Sequence, residues 1–169
     1  MAQRGSCLVH IRKAEPTDVS LLKQLIDEMG THERMQVTAK EERLALDGFG
    51  PTPKFRALIA EVNWKVAGYA LFFDYYSSFH GSGIFLEDLF VREEFRGQSV
   101  GSTLWSRVAK IAIELGCFGI MFNVLDWNKS ALRFFDSAGA SVLHERKTLC
   151  INEMALREIA NKESASPKH

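Results

Sequence analysis

The sequence has no excess of charge: lysine plus arginine and aspartate plus glutamate number 21 each, for a formal net charge of +0. A chain so balanced lacks the broad positive surface that holds nucleic acid, though a local basic pocket for a phosphorylated ligand stays open. Cysteine is scarce, with Cys7, Cys117 and Cys150 far apart and odd in number. That spacing fits neither a disulfide framework nor a metal site. It reads as free thiols in a reducing, cytoplasmic compartment. The five histidines are scattered, so no metal is expected. No apolar run approaches the roughly 18 residues of a membrane span. Met1–Ser6 has no apolar segment behind it, so no secretory leader is expected. Repeats and low-complexity linkers are missing too. What remains is one domain over residues 1–169, with a core of about 8–160 and a polar tail at 161–169.

Hydrophobic residues make up 46% of the chain, enough for a real core, and their spacing places the elements. Leu8 to Arg12 alternates as a strand. Pro16 opens a helix whose stripe is Val19, Leu22, Leu25, Ile26 and Met29, ending at Gly30. His32-Glu33-Arg34 is a short polar connector. Thr38-Ala39-Lys40-Glu41 is a capping-box pattern opening a second helix, which closes near Asp47-Gly48. Phe55 to Val62 and Val66 to Tyr76 read as a hairpin turning at Asn63-Trp64-Lys65. Ser77 to Gly83 is a loop. Ile84 to Val91 reads as a central strand buried on both faces. Val100 to Leu115 is an amphipathic helix and Phe118 to Leu125 another buried strand. Asn128 caps a helix running to about Ala138. Ser141 to Leu143 and Thr148 to Ile151 read as closing strands, and Asn152 to Ala160 as a last helix. Strands alternating with helices predict an α/β or α+β sheet domain.

The chemistry concentrates in Leu86-Glu87-Asp88-Leu89-Phe90-Val91-Arg92-Glu93-Glu94-Phe95-Arg96-Gly97-Gln98-Ser99-Val100-Gly101-Ser102. A buried strand ends, a charged turn follows, and a glycine-containing loop opens a long helix. The first N–H groups of such a helix have no intrahelical partner and suit a pyrophosphate. Gly97 and Gly101 remove side chains that would block it, and Arg96 can add a charge-assisted contact. No Lys-Ser or Lys-Thr follows the glycines, so this is not a P-loop, and the dinucleotide-binding spacing fails as well. Glu87 interrupts an apolar strand, where a carboxylate is costly unless it has a task or a partner. Burial there would raise its pKa and improve it as a base. A regular strand sends Asp88 to the opposite face; an irregularity would bring both into one cleft.

These segments resemble the GNAT superfamily of N-acetyltransferases, and within it the diamine (spermidine/spermine) and thialysine branch. The resemblance is carried by Asp47-Gly48-Phe49-Gly50, Leu86 to Val91, Arg96-Gly97 through Gly101-Ser102, Trp127-Asn128, and Phe134-Phe135 with Gly139-Ala140. It implies a GNAT fold: a mixed sheet of about 6–7 strands, splayed where acetyl-CoA binds and flanked by helices. The matching positions give Leu89, Phe90 and Val91 to pantetheine and the amides of Gly97, Gln98, Ser99, Val100, Gly101 and Ser102 to the pyrophosphate. Asn128, Lys129 and Ser130 match a second cofactor segment. Ser99 stands where the superfamily usually has glycine.

The resemblance also implies acetyl transfer to a small amine. Alkyl amines are protonated at neutral pH, so a base is needed, and the family's general base matches Glu87. His32, Glu33, Phe79 and Asp88 match substrate positions, and Ser77 replaces an acidic one. Phe135, beside the cofactor, occupies the position of the tyrosine that protonates the leaving thiolate. Tyr75, Tyr76 or water is left to supply that proton. Acceptors consistent with these changes are a diamine or polyamine, a thialysine-like amino acid or an arylalkylamine. A protein lysine or N-terminal acetyltransferase, and an acyl-CoA-binding protein of little activity, are the other readings. A homodimer is implied as well.

Overall fold

The computed structural model describes residues 8–164, so Cys7 and the Met1–Ser6 leader reading lie outside the described residues. Cys117 and Cys150 are free thiols, as expected. The chain divides after Asn123 into two compact units.

In the first unit, strands β1 (Val9–Lys13), β2 (Arg56–Val62), β3 (Lys65–Ser77), β4 (Gly81–Val91) and β5 (Ile120–Phe122) form one sheet in the order β1-β2-β3-β4-β5. The first four are antiparallel, and β5 pairs with β4 in parallel. One face carries helices α1 (Val19–Glu33) and α2 (Glu41–Phe49). Their stripe, led by fully buried Leu22 and Leu25, packs on Ala57, Ile59, Tyr69, Leu71 and Phe90. The other face carries α3 (Val100–Glu114), which buries Val100, Leu104, Val108 and Ala112 at helical spacing. Each large apolar side chain so buried contributes about 1.5–3 kcal/mol. Arg12 ties the start of α1 to the sheet through a two-point bond to Asp18, at 2.7 and 2.9 Å, and a third bond to Glu61.

Two boundaries differ from expectation for local reasons. Helix α1 passes through Gly30 and stops at Glu33, because Arg34 takes the left-handed cap (φ 58). Gly30 instead allows close approach: a Cβ there would lie 2.4 Å from Val37 Cγ2. His32 and Glu33 therefore belong to the last turn of α1 rather than to a connector. Helix α2 starts at Glu41, with Lys40 as its cap and no side-chain capping bond. Glu41 accepts from the Ser20 hydroxyl instead.

The second unit begins at Val124. It holds α4 (Lys129–Ser137), capped as expected by Asn128 Oδ1 accepting from Ala131 N–H at 3.0 Å. It also holds α5 (Glu153–Ser164), which runs past the expected Ala160 into the polar tail. The closing strands expected at Ser141 to Leu143 and Thr148 to Ile151 do not form. A strand exists only where a neighbour takes its backbone bonds, and here Val142, Leu143, Leu149 and Ile151 are exposed on either side of a turn at His144-Glu145. The sheet therefore has five strands among the described residues, below the expected 6–7.

Candidate active site

The centre of the site is an irregularity in β4. Phe72 pairs with Leu86 and Leu71 with Asp88, so Glu87 is an extra residue without a partner on β3. Such a bulge breaks strict alternation. It lets Glu87 and Asp88 share the face that carries α1. It also explains the shortness of β5, expected over Phe118 to Leu125: the parallel ladder ends at Leu86 and Phe122, where β4 bulges. From Glu87 to Val91, the side of β4 away from β3 pairs with no strand among the described residues. Leu89, Phe90 and Val91 lie along this open edge.

Asp88 is half-buried, whereas Glu87 is exposed. Loss of solvation pushes the Asp88 carboxyl up to about 6, against the pull of a hydrogen bond from Tyr69; the charges of Glu87 and Glu33 push in the same direction as burial. The Tyr69 hydroxyl donates to Asp88 Oδ2 at 2.9 Å, with Met29 Sδ 3.4 Å away. Burial and the Asp88 charge hold that phenol protonated, far above its ordinary range. Half-buried Glu33, at the end of α1, is also raised by lost solvation, partly offset by His32. The His32 ring lies 6.4 Å from that of Phe90. Glu33, Glu87 and Asp88 thus converge, and no lysine or arginine among the described residues bonds to any of them.

A cleft of about 530 Å³ opens beside Phe90, bounded by Gln24, Thr31, His32 and Arg96. Its wall is fixed by Arg92, which bonds both oxygens of Glu28 at 2.7 and 2.8 Å and the Val66 carbonyl at 3.0 Å. Arg96 donates through Nε to the Val91 carbonyl at 3.0 Å, so it closes the turn between β4 and the loop.

The loop ahead of α3 is built around donors. No acceptor among the described residues takes the N–H groups of Gly97, Gln98, Ser99, Val100, Gly101 or Ser102. The Ser99 carbonyl, in contrast, accepts from Thr103 N–H and from the Ser102 and Thr103 hydroxyls. Gly97 has φ 74 and Ser99 φ 64, both left-handed. Gly101 has no such need, and a Cβ there would touch only Val91 Cγ2 at 3.7 Å. The fold does not require glycine at 101, so the space above it is left for something else. Untaken amides at a helix start and a space that a Cβ would fill match a diphosphate such as that of coenzyme A.

In the second unit, Lys129 and Ser130 form the first turn of α4 behind the Asn128 cap. Phe135 is buried, its ring 5.0 Å from that of Phe134. Of the expected substrate residues, His32, Glu33 and Asp88 come together around Phe90 and Tyr69. Phe79 does not: it is 87% exposed in the β3–β4 turn, about 20 Å along β4 from Glu87. Ser77 is buried and accepts from the N–H groups of Phe79 and His80 at 3.2 Å, holding that turn. Tyr69 and the Arg92–Glu28 pair were missed from sequence. The signal for Tyr69 was available, since a phenol inside Val66-Ala67-Gly68-Tyr69-Ala70-Leu71 needs a partner.

Comparison with known proteins matches residues 20–140 to the Acetyltransferase (GNAT) family. The chain is 37% identical to a thialysine N-epsilon-acetyltransferase of Bos taurus over 167 residues, covering 91% of this chain and 98% of that protein. It is 33% identical to a spermidine/spermine N(1)-acetyltransferase-like protein 1 of Homo sapiens over 151 residues, covering 83% of this chain and 21% of that protein. Its fold is like that of an aminoglycoside N-acetyltransferase solved in complex with CoA, with a TM-score of 0.71 at 18% identity, over 90% of this chain and 99% of that one.

Proposed function

The chain belongs to the GNAT acetyltransferase family, and from that premise we propose that it moves an acetyl group from acetyl-CoA to the primary amine of a small molecule. The gathering of Glu33, Glu87 and Asp88 with no cation among them carries this reading, because such a cluster suits an alkylammonium. The amides of Gly97 to Ser102 and the side chain of Arg96 would hold the diphosphate, and the open edge at Leu89, Phe90 and Val91 the pantetheine arm. The resemblance assigns Asn128, Lys129, Ser130 and Phe135 of the second unit to the cofactor as well. Bound acetyl-CoA supplies an activated thioester.

Glu33 and Asp88 hold and orient the ammonium, and His32 tempers the charge of Glu33. Glu87, exposed beside them, takes the proton of the amine as general base. The nitrogen then bonds to the acyl carbon, the carbon–sulfur bond breaks, and the thiolate leaves with the bonding pair. A thiol of pKa about 8.5 leaves tolerably well at neutral pH, so solvent can supply the last proton that Phe135 cannot. Tyr75 shares the face of Glu87 and is a second donor, whereas Tyr76 lies on the opposite face. We further propose a single domain acting as a cytoplasmic homodimer.

A coupled thiol-release assay with putrescine, spermidine, thialysine, agmatine and tyramine tests the reading. Glu87→Gln is expected to lower kcat/KM about 100-fold or more at neutral pH, with the deficit shrinking as pH approaches the amine pKa. An equal rate at neutral pH removes Glu87 from the mechanism. Phe135, with no acidic proton, favours one other reading, an acyl-CoA-binding protein of little activity; tight CoA binding without thiol release from any amine would support that one.

A further inference from the structure

The face of β3 that carries Tyr69 and Leu71 continues with Phe73 and Tyr75, and β4 answers with Phe85 and Gly83. The core under α1 and α2 reaches Leu71 and goes no further. Beyond it, Phe73, Tyr75 and Phe85 are only half-buried. Their rings form a continuous wall. Phe73 stacks on Phe85 at 5.2 Å, Tyr75 meets Phe85 at 6.5 Å and Phe118 at 6.3 Å, and His80 lies 5.2 Å from Phe118. Gly83 makes room for it, since a Cβ there would come within 2.7 Å of Phe118 Cε1.

The wall starts one same-face step from Glu87, about 7 Å along the strand, and runs away from the amide loop at the other end of β4. Two reactants would therefore approach the bulge from opposite ends of one strand. Among the described residues, the rings that make up the wall, those of Phe73, Tyr75, Phe85, Phe118 and His80, include no acid. Ser77 spends its hydroxyl on the turn, and Asp74 lies on the other face, paired with Arg56. A second ammonium there would lose solvation with no carboxylate to meet it, and attraction by a ring face only partly offsets that loss. An acceptor with one cationic nitrogen and a flat apolar body fits both parts.

We propose that the acceptor is an arylalkylamine, its nitrogen at Glu87 and Asp88 and its ring against Phe85 and Phe118. This rests on the acetyl-transfer reading above. The test follows thiol release from acetyl-CoA with 2-phenylethylamine, tyramine, putrescine and thialysine, for the wild type, Phe85→Leu and Phe118→Leu. The expected kcat/KM for 2-phenylethylamine exceeds that for putrescine by about tenfold or more. Each substitution is expected to lower that ratio about fivefold or more, through KM of the aryl amine. Phe118 is 42% exposed, so its truncation leaves the core intact, and CoA binding by calorimetry verifies folding. Preference for putrescine or thialysine overturns the inference and leaves acetyl transfer standing. Thiol release with no amine overturns both. An unchanged ratio in folded variants overturns it as well, and a change of oligomeric state in those variants would give the wall to a second copy of the chain.

Discussion

Gly101→Ala separates what the fold needs from what a ligand needs, because the two should respond with opposite signs. Residue 101 lies in the first turn of α3 with ordinary helical backbone, and an added Cβ meets only Val91 Cγ2, at an unstrained 3.7 Å. Alanine is favoured over glycine in a helix by roughly 0.5–1 kcal/mol. For a chain of this size that raises Tm by about 1–4 °C. The same methyl enters the space beside the untaken amides of Gly97 to Ser102. Displacing a diphosphate from even one such amide forfeits a charge-assisted bond of about 1.5–3 kcal/mol, or about tenfold to 100-fold in affinity. Denaturant unfolding measures the first effect and calorimetry with CoA the second. A variant more stable than the parent yet weaker for CoA is the expected result. Wild-type affinity for CoA would refute the placement of the diphosphate, and a loss of stability would refute the claim that the fold has room at 101.

Two further substitutions test neighbouring features. Ser99 adopts φ 64 and its side chain caps nothing, so Ser99→Gly relieves left-handed strain and should raise unfolding stability by about 1 kcal/mol, seen as a higher urea midpoint at constant slope; no increase would show that the loop holds serine without strain. Asp88 is raised to about 6 by burial, so the folded state binds its proton more tightly than the unfolded chain does. Its contribution is favourable below about pH 4 and is lost as pH climbs through 6. Asp88→Asn keeps an acceptor for Tyr69 and removes that loss, so its stability advantage should grow between pH 4 and 6, by up to about 3 kcal/mol, then stay level. A difference that does not vary with pH would contradict the burial of a charged Asp88.

The sheet and its helices were readable because period-2 and period-3.6 patterns dominate residues 8–115. The glycine loop was readable too, since Gly97 and Gly101 stand between a strand and a long helix. The bulge was not. Glu87 and Asp88 occur in an otherwise apolar strand, and only the register against β3 shows that the first is an extra residue. With a strict alternation Asp88 goes to the α3 face; with the bulge it turns to Tyr69. The burial expected of Glu87 moved one residue for the same reason. The aromatic wall was legible in part. In sequence Phe72, Phe73, Tyr75, Tyr76 and Phe79 read either as core or as the lining of an apolar acceptor pocket, but Phe85 was not among them, and nothing local says that α1 and α2 stop short of Phe73. Thr148 to Ile151 has the composition of a strand, but composition cannot say whether a neighbour takes its backbone bonds.

The loop before α3 contains two residues that stability alone would reverse. Position 99, with left-handed backbone, holds serine where glycine would be unstrained. Position 101, with helical backbone and open space, holds glycine where alanine would strengthen the helix. A loop selected only for folding would carry the opposite pair. Gly101 is explained if a ligand fills the space that a methyl would take. Ser99 keeps its strain with its N–H untaken by any acceptor among the described residues, and its carbonyl, which accepts three bonds, fixes the peptide. The cost lies in folding rather than in binding, since the backbone is already in its donor-presenting shape before any ligand arrives. That pre-organisation is what a diphosphate site requires, and it makes the loop a stronger mark of coenzyme A than the glycines alone.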